Sequence, residues 1–203
     1  MASTQHPGGT PDVDARIGRA IAHRRYERAL ELLVRSYGQA IGRLCRAMVG
    51  EPAEAEELTQ EVLLAAHEAM PTFAARSTVR TWLYAIARRG CSRHLRLKRR
   101  RAELLGSRPP QAPADPPDPL HQVIARRDGL RLRQAIDELG AGERDVLLLR
   151  FCAGLSFREV AEACGIREEA ARQRACSALR RLRERLTRAP GGPVLALSQE
   201  VSR

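Results

Sequence analysis

Arginine and glutamine side chains recur on the polar face of a segment near the C-terminal end of this 203-residue chain. Arg172, Gln173, Arg174 and Arg180 all lie on or beside the face opposite an apolar stripe, if the segment is helical. Both residue types match the hydrogen-bonding edges of base pairs in the DNA major groove, and arginine also binds phosphate. These residues favour recognition of duplex DNA, and the alternative is an ordinary solvated helix face.

The element that would position these side chains has its own sequence pattern. Ser156 followed three residues later by Glu159 predicts a capping box at the start of a first helix. Gly165 predicts its end, because glycine tolerates the left-handed conformation of a helix terminus. A second helix follows, with an apolar stripe at Ala171, Ala175, Ala178, Leu179, Leu182 and Leu186. Helix, glycine turn and helix together form the helix-turn-helix pattern, which favours DNA binding.

Composition narrows the class of protein. The net charge of +11 and the pI of about 10.7 suit a polyanionic partner, and the alternative is an anionic membrane surface. No apolar run approaches the ~20 residues that a spanning helix needs, and the N-terminal residues lack a signal-peptide layout. We therefore expect no membrane insertion and a cytoplasmic location. The five cysteines include no C-x-x-C pair, so the sequence predicts neither a metal nor a cofactor, and no catalytic arrangement is evident.

An acidic cluster interrupts this basic chain. No lysine or arginine occurs between Arg46 and Arg76, and a predicted helix that begins at Pro52 carries Glu54, Glu57, Glu61 and Glu68. The cluster is either a solvated face that keeps the protein soluble or a docking surface for a basic partner.

A basic helix follows, predicted from about Thr78 to Arg100. Its first half is apolar and aromatic, and its second half is arginine-rich, with no acidic residue from Ile86 to Arg101. Because the basic run continues an amphipathic helix, a phosphate-binding role is favoured over a solvated tail.

Proline divides the chain into two parts. Residues 106–120 hold six of the twelve prolines, which is typical of an extended linker. The pattern elsewhere is helical, with further helices predicted at residues 24–34, 39–49, 130–139 and 143–152. The predicted fold class is therefore all-α, with two small helical domains joined by a proline-rich linker. The expected boundaries are an N-terminal tail or short helix at 1–22, a first domain at 23–101, a linker at 102–120, a second domain at 121–188 and a C-terminal tail at 189–203.

Two segments resemble a known family. "AEAEELTQEVLLAAHEAMPTF" with "STVRTWLYAIARRGCSRHLRLKRR" is similar to region 2 of bacterial RNA polymerase sigma factors of the sigma-70 family, in its extracytoplasmic-function (ECF) group. "AIDELGAGERDVLLLRFCAGLSFREVAEACGIREEAARQRACSALRRLRERL" resembles region 4 of the same group. The resemblance covers residues 24–101 and 130–186, and its order and linker also fit.

The resemblance implies a function. The chain would be an alternative sigma factor, which binds core RNA polymerase and directs it to promoters. The implied partners are promoter DNA, the clamp helices of the largest polymerase subunit and the flap, with an anti-sigma factor as a further candidate.

The resemblance also implies three sets of site residues. Contacts to the −35 element would come from Arg167, Glu168, Glu169, Arg172, Gln173, Arg174 and Arg180. Capture of the unpaired −10 element would involve Phe73, Arg76, Ser77, Arg80, Trp82, Arg88, Arg89, Arg93 and Arg96. Docking on the core polymerase would use Glu54, Glu57, Leu58, Gln60 and Glu61.

A different class of protein remains open from the residues alone. A stand-alone helix-turn-helix regulator, responsive to thiol chemistry or metal through the cysteines, would also carry the DNA-binding pattern. It would bind its operator tightly without polymerase, whereas a sigma factor would not.

Overall fold

The computed structural model describes residues 11–105 and 121–188, with side chains at 12–105 and 129–187. Throughout these residues the regular structure is helical. The helices are α1 (Pro11–Ala22), α2 (Tyr26–Val49), α3 (Pro52–Ala69), α4 (Val79–Leu104), α5 (His121–Asp137), α6 (Ala141–Phe151), α7 (Phe157–Cys164) and α8 (Glu168–Arg188), with a 3-10 turn at Met70–Thr72. The all-α prediction is confirmed, whereas most of the proline-rich linker and the C-terminal tail lie outside the described residues.

One long helix replaces two predicted short ones. The sequence predicted a break between residues 34 and 39, but α2 runs through it without interruption. Gly38 in a helix interior costs about 0.5–1 kcal/mol. Its neighbour Tyr37 is completely buried, and burial of a side chain of this size is worth more than that cost, about 1.5–3 kcal/mol.

The short helix α1 packs against α2 rather than standing apart from it. Ile17 and Ile21 are buried in the core. Asp14 accepts a hydrogen bond from the hydroxyl of Tyr37, and burial together with this bond raises the pKa of Tyr37. Asp14 also accepts a bond of 3.4 Å from the backbone N–H of Arg80 in the first turn of α4. The N-terminal helix is therefore hydrogen-bonded to both α2 and the first turn of α4.

The two halves of the chain pack against each other. Buried residues from α1 to α4 and from α6 to α8 belong to a single apolar cluster, in which Tyr84, Leu149 and Val160 are almost completely buried. A smaller cluster joins α5, α6 and α8 around Leu139, Leu147 and Leu182. Helix α4 lies against both α6 and α7, so the basic helix of the first half contacts the helix-turn-helix of the second.

Candidate nucleic-acid and polymerase interfaces

The helix-turn-helix has the cap and corner that the sequence predicts. The N–H of Glu159 donates to the Ser156 hydroxyl at 3.2 Å, and the N–H of Ser156 donates to the Glu159 carboxylate at 2.8 Å. Gly165 is left-handed, with φ 67° and ψ 38°. The N–H of Ile166 then bonds the carbonyl of Ala161 at 3.0 Å, which closes the end of α7. These bonds fix the angle at which α8 leaves the corner.

Small side chains let α7 and α8 approach closely. Ala161 of α7 and the stripe residues Ala171 and Ala175 of α8 are all buried. The stripe residues Ala178 and Leu182 are buried as well. Because the apolar stripe of α8 is covered in this way, the opposite face of the helix is turned to solvent.

The predicted reading residues lie on that solvent face. Gln173, Arg174 and Arg180 are exposed, as are Arg167 and Glu169 at the start of the helix. Arg172 is exposed too, and its guanidinium lies 2.5 Å from the carboxylate of Glu168 and 5.1 Å from the ring centre of Phe157. These contacts hold the Arg172 side chain against the corner, where it is still exposed to a ligand. The face can present arginine and amide groups to base edges and phosphates.

The loop between α3 and α4 brings aromatic groups together. The rings of Phe73 and Trp82 are 4.9 Å apart between centroids and tilted by 52°, and both are half-buried. Arg76 is exposed at the tip of this loop, and Ser77 is half-buried. The hydroxyl of Thr78 accepts from the N–H of Thr81 at 3.0 Å and caps α4.

A cleft lies between α3 and α4. It has a volume of about 350 Å³ and is lined by Glu61, Val62, Ala65, Ala69, Ile86, Arg89, Gly90 and Arg93. Arg89, Arg93 and Arg96 are exposed on this part of α4. An apolar floor with arginines beside it suits a base or sugar whose backbone phosphates lie along the helix.

Two of the predicted −10 residues face the other half of the protein. Arg80 and Arg88 are half-buried, and their guanidinium groups bond to atoms of α6, α7 and the connection between them. The family resemblance grouped these arginines in one −10 set, but the structure gives them different surroundings. Arg89, Arg93 and Arg96 are turned to solvent, whereas Arg80 and Arg88 have protein partners.

The acidic cluster is also divided by the structure. Glu57, Gln60 and Glu61 are exposed on α3. Glu54 instead pairs with His94 at 3.3 Å and with Lys98, which joins α3 to α4.

Leu58 requires a correction to the predicted docking set. It is 2% exposed and lies in the core with Val62 and Ala66, because it shares their apolar stripe. The exposed members of the predicted docking set are therefore Glu57, Gln60 and Glu61, and Leu58 packs beneath them.

The cysteines occupy different environments. Cys45 and Cys91 are buried, and the hydrogen bond from the Cys91 Sγ to the Cys45 Sγ, at 3.7 Å, raises the pKa of Cys91. Cys176 is exposed on α8. Among the residues whose positions are described, no three histidine, cysteine or acidic side chains come together as a metal site would require. No helix in this same part of the chain is long and apolar enough to cross a bilayer.

Sequence reasoning missed the residues that join the two halves. Asp145 and Arg133 are both placed in helices that the sequence predicted, but neither was singled out. Asp145 stands beside the apolar run Val146–Leu149 and is 5% exposed. A charged residue at the edge of a buried run is a signal of a buried ion pair, although the sequence does not identify its partner.

Comparison with known proteins defines the family to which this chain belongs. The sequence model for "Sigma-70 region 2" matches residues 33–101, and the model for "Sigma-70, region 4" matches residues 135–184. The chain is 35% identical over 153 residues to the ECF RNA polymerase sigma factor SigC of Mycobacterium tuberculosis, and this alignment covers 72% of the chain and 80% of SigC. It is 31% identical over 183 residues to SigD of the same species, with coverage of 87% and 85%.

Solved structures share the fold. CnrH, in complex with the cytosolic domain of CnrY, superposes with a TM-score of 0.66 at 23% identity, covering 87% of this chain and 99% of that one. RpoE of Bartonella quintana, in complex with the anti-sigma factor NepR, gives a TM-score of 0.62 at 23% identity, with coverage of 77% and 94%.

By class, the chain is therefore a sigma factor that contains regions 2 and 4. It belongs to the sigma-70 family and, within it, to the ECF group. As an alternative sigma factor it binds core RNA polymerase and promoter DNA and directs transcription initiation. The stand-alone regulator is not favoured.

Proposed function

We propose that residues 121–188 form the domain that reads the −35 element, with α8 in the major groove. Arg172 and Gln173 contact base edges, and Arg167, Arg174 and Arg180 bind phosphates; Glu168 and Glu169 orient the first turn. The observation that carries this proposal is the exposed polar face of α8 behind a capped and glycine-closed corner. The chain acts by binding and not by catalysis, in the cytoplasm where polymerase and promoter lie.

Residues 23–101 are proposed to capture the unpaired −10 element. Support comes from the Phe73–Trp82 pair beside the exposed Arg76, and from the cleft with Arg89 and Arg93. A base turned out of the duplex stacks on aromatic groups and sits in a pocket, while arginines follow its backbone. Ser77, just before α4, and the exposed Arg96 extend this surface. Arg80 and Arg88 would join it only where their bonds to α6, α7 and the connection between them are released.

Glu57, Gln60 and Glu61 are proposed to dock on the clamp helices of the largest polymerase subunit. Glu57 and Glu61 are four residues apart and therefore lie on one face of α3. Both are exposed. An acidic surface on so basic a protein is complementary to a basic partner surface. Glu61 also lines the cleft between α3 and α4, from the α3 side.

A regulatory partner of the anti-sigma kind is also proposed. Two proteins of the same fold were solved with partner proteins: RpoE with the anti-sigma factor NepR, and CnrH with the cytosolic domain of CnrY. This partner would compete with polymerase for the same surfaces.

The docking proposal is tested by reversing charge on α3. Glu57→Lys with Glu61→Lys should keep the helical content, because exposed substitutions usually change stability by less than about 0.5 kcal/mol. The double variant should no longer co-purify with core RNA polymerase, because reversed charges replace attraction by repulsion.

The matched control is Glu27→Lys with Glu31→Lys. These residues are also exposed and four apart, but on α2. The net charge changes equally in the two double variants, so only a specific docking face predicts a difference. If both double variants retain polymerase equally, the acidic cluster is a solvated face and not a docking surface.

A further inference from the structure

Two cysteines contact each other in the core of the first half of the chain. Cys45 belongs to α2 and Cys91 to α4, and both side chains are completely buried. Their Sγ atoms are 3.7 Å apart, with the Cys91 thiol donating to the Cys45 sulfur. The two residues are 46 positions apart in the sequence, so no local motif marks them as a pair. Packing of α4 on α2 brings them together.

The hydrogen bond makes the two thiols unequal. Donation from Cys91 lowers the pKa of Cys45, against the opposing effect of burial. The same bond, together with burial, raises the pKa of Cys91. Cys45 is therefore the thiol that ionises first. Because the thiolate is the nucleophilic form of cysteine, Cys45 is the sulfur that attacks an oxidant, and Cys91 is its neighbour in the next step.

The other three cysteines have different surroundings. Cys152 and Cys176 are exposed, and Cys164 is half-buried. Within the residues whose side chains are described, none of the three is hydrogen-bonded to another sulfur. They therefore act as internal controls for thiol chemistry that needs a second sulfur close by.

A cleft between α2 and α3 reaches the neighbourhood of Cys45 from the surface. Its volume is about 430 Å³, and Gly42 and Arg46 line it on the side of α2. Gly42 is three residues before Cys45 and Arg46 directly follows it, so the cleft lies beside the helical turn that carries the thiol. A molecule as small as hydrogen peroxide needs only a minor local opening of the helices to pass from this cleft to the sulfur.

We propose that Cys45 and Cys91 form a redox site, which closes to a reversible disulfide when the protein meets hydrogen peroxide. The sulfurs must approach by a further ~1.7 Å to reach the length of a disulfide bond. The site goes beyond the proposed polymerase and DNA interfaces and does not depend on them. In a compartment that keeps thiols reduced, such a disulfide is transient and forms only under oxidative load.

The reaction proceeds in two balanced steps. The Cys45 sulfur attacks one oxygen of the peroxide, so an S–O bond forms, the O–O bond breaks, and the second oxygen leaves as water with the proton of Cys45. The Cys91 sulfur then attacks the sulfur of the Cys45 sulfenic acid. The S–S bond forms, the S–O bond breaks, and the hydroxyl leaves as a second water with the proton of Cys91. Two thiols lose two electrons in total, and the peroxide gains them.

The disulfide has a mechanical consequence for the first half. It joins α2 to α4, and the segment that it closes contains α3 and the loop with Phe73. A cross-link across a segment of this length removes conformational freedom from the unfolded chain. Oxidation should therefore stabilise the helices that carry both proposed interfaces, and reduction should return them to their original stability.

The test maps the thiols of the full chain after treatment with hydrogen peroxide. Remaining thiols are blocked with N-ethylmaleimide in urea, and tryptic peptides are analysed by mass spectrometry without reduction. Arginine flanks each site, so Cys45 lies in the peptide 44–46 and Cys91 in the peptide 90–93. We expect these two peptides to be linked in most molecules and to separate after dithiothreitol. Any other state of the pair, at a peroxide dose that oxidises the exposed Cys176, would overturn the proposal.

The urea midpoint of unfolding gives a second readout, with matched cysteine variants. Peroxide should raise the midpoint by roughly 1–2 M in the unaltered chain and in the control Cys176→Ala, and dithiothreitol should reverse the rise. Cys91→Ala should show no rise, because Cys45 then has no second sulfur. An equal rise in Cys91→Ala, or linked peptides without a rise in the unaltered chain, would overturn the stabilising role. If Cys91→Ala fails to fold, the peptide map of the unaltered chain still decides whether the disulfide forms.

Discussion

Substitution of Gly165 by alanine isolates the contribution of the helix-turn-helix corner. Gly165 has φ 67°, and a Cβ placed there would meet nothing within 4 Å. The change therefore adds no steric clash. Its cost arises from the left-handed backbone alone, which is roughly 1–2 kcal/mol for a residue with a side chain.

The unfolded state reduces that cost. Alanine has less backbone freedom than glycine in the unfolded chain, which returns about 0.4–1 kcal/mol. We therefore expect Gly165→Ala to lower the free energy of unfolding by about 1 kcal/mol. For a chain of this length the melting temperature should fall by roughly 2–4 °C. Gly165→Asn should cost less, because asparagine tolerates this conformation better.

The assay is urea unfolding with Gly18→Ala as the matched control. Gly18 lies within α1, with nothing within 4 Å of a Cβ and no positive φ. Alanine in a helix interior is favoured over glycine by about 0.8–1 kcal/mol, so this variant should gain stability. The two substitutions are chemically identical and should move the midpoint in opposite directions, with the m-value unchanged. A stabilised Gly165→Ala variant would refute the account of the corner.

Three further outcomes are expected from other changes. Arg172→Ala should weaken promoter binding by about 1–3 kcal/mol, read out as in vitro transcription, at promoters whose −35 base it contacts. Arg180→Ala should weaken binding to all −35 sequences equally and flatten the salt dependence of that binding; the same pattern of loss for both variants would contradict these roles. Ser156→Ala should lower the free energy of unfolding by about 1 kcal/mol, measured by urea titration, because the cap of α7 is lost; an unchanged midpoint would contradict it. Iodoacetamide followed by mass spectrometry should modify the exposed Cys176 in the native protein and reach the buried Cys45 only after unfolding; early labelling of Cys45 would contradict its burial.

Local patterns in the sequence were sufficient to predict the helix-turn-helix. Ser156, Glu159 and Gly165 act within a few residues of each other, so their spacing alone determines the cap and the corner. The apolar stripe of α8 likewise follows from helical periodicity, which leaves Gln173 and Arg180 on the exposed face. These elements depend little on distant parts of the chain.

Contacts between the halves were not predictable from such patterns. Periodicity places Arg88 and Arg89 on a basic helix but does not tell which one meets another helix. The same limit explains Leu58, which the family resemblance placed on a docking surface and the structure places in the core. The break expected in α2 was absent because burial of Tyr37, an interaction with α1 and α4, outweighs the local cost of a glycine.

The central claim is that this chain gives promoter specificity to core RNA polymerase and has little of its own. The most direct measurement is in vitro transcription from a library of randomised templates, with core polymerase alone, with the chain added, and with Glu57→Lys and Glu61→Lys combined. Sequencing of the 5′ ends should give start sites that share −35 and −10 elements only with the unaltered chain. The chain alone should bind the selected promoters weakly and without specificity. Tight, specific binding without polymerase, or start sites unaffected by the chain, would contradict the account.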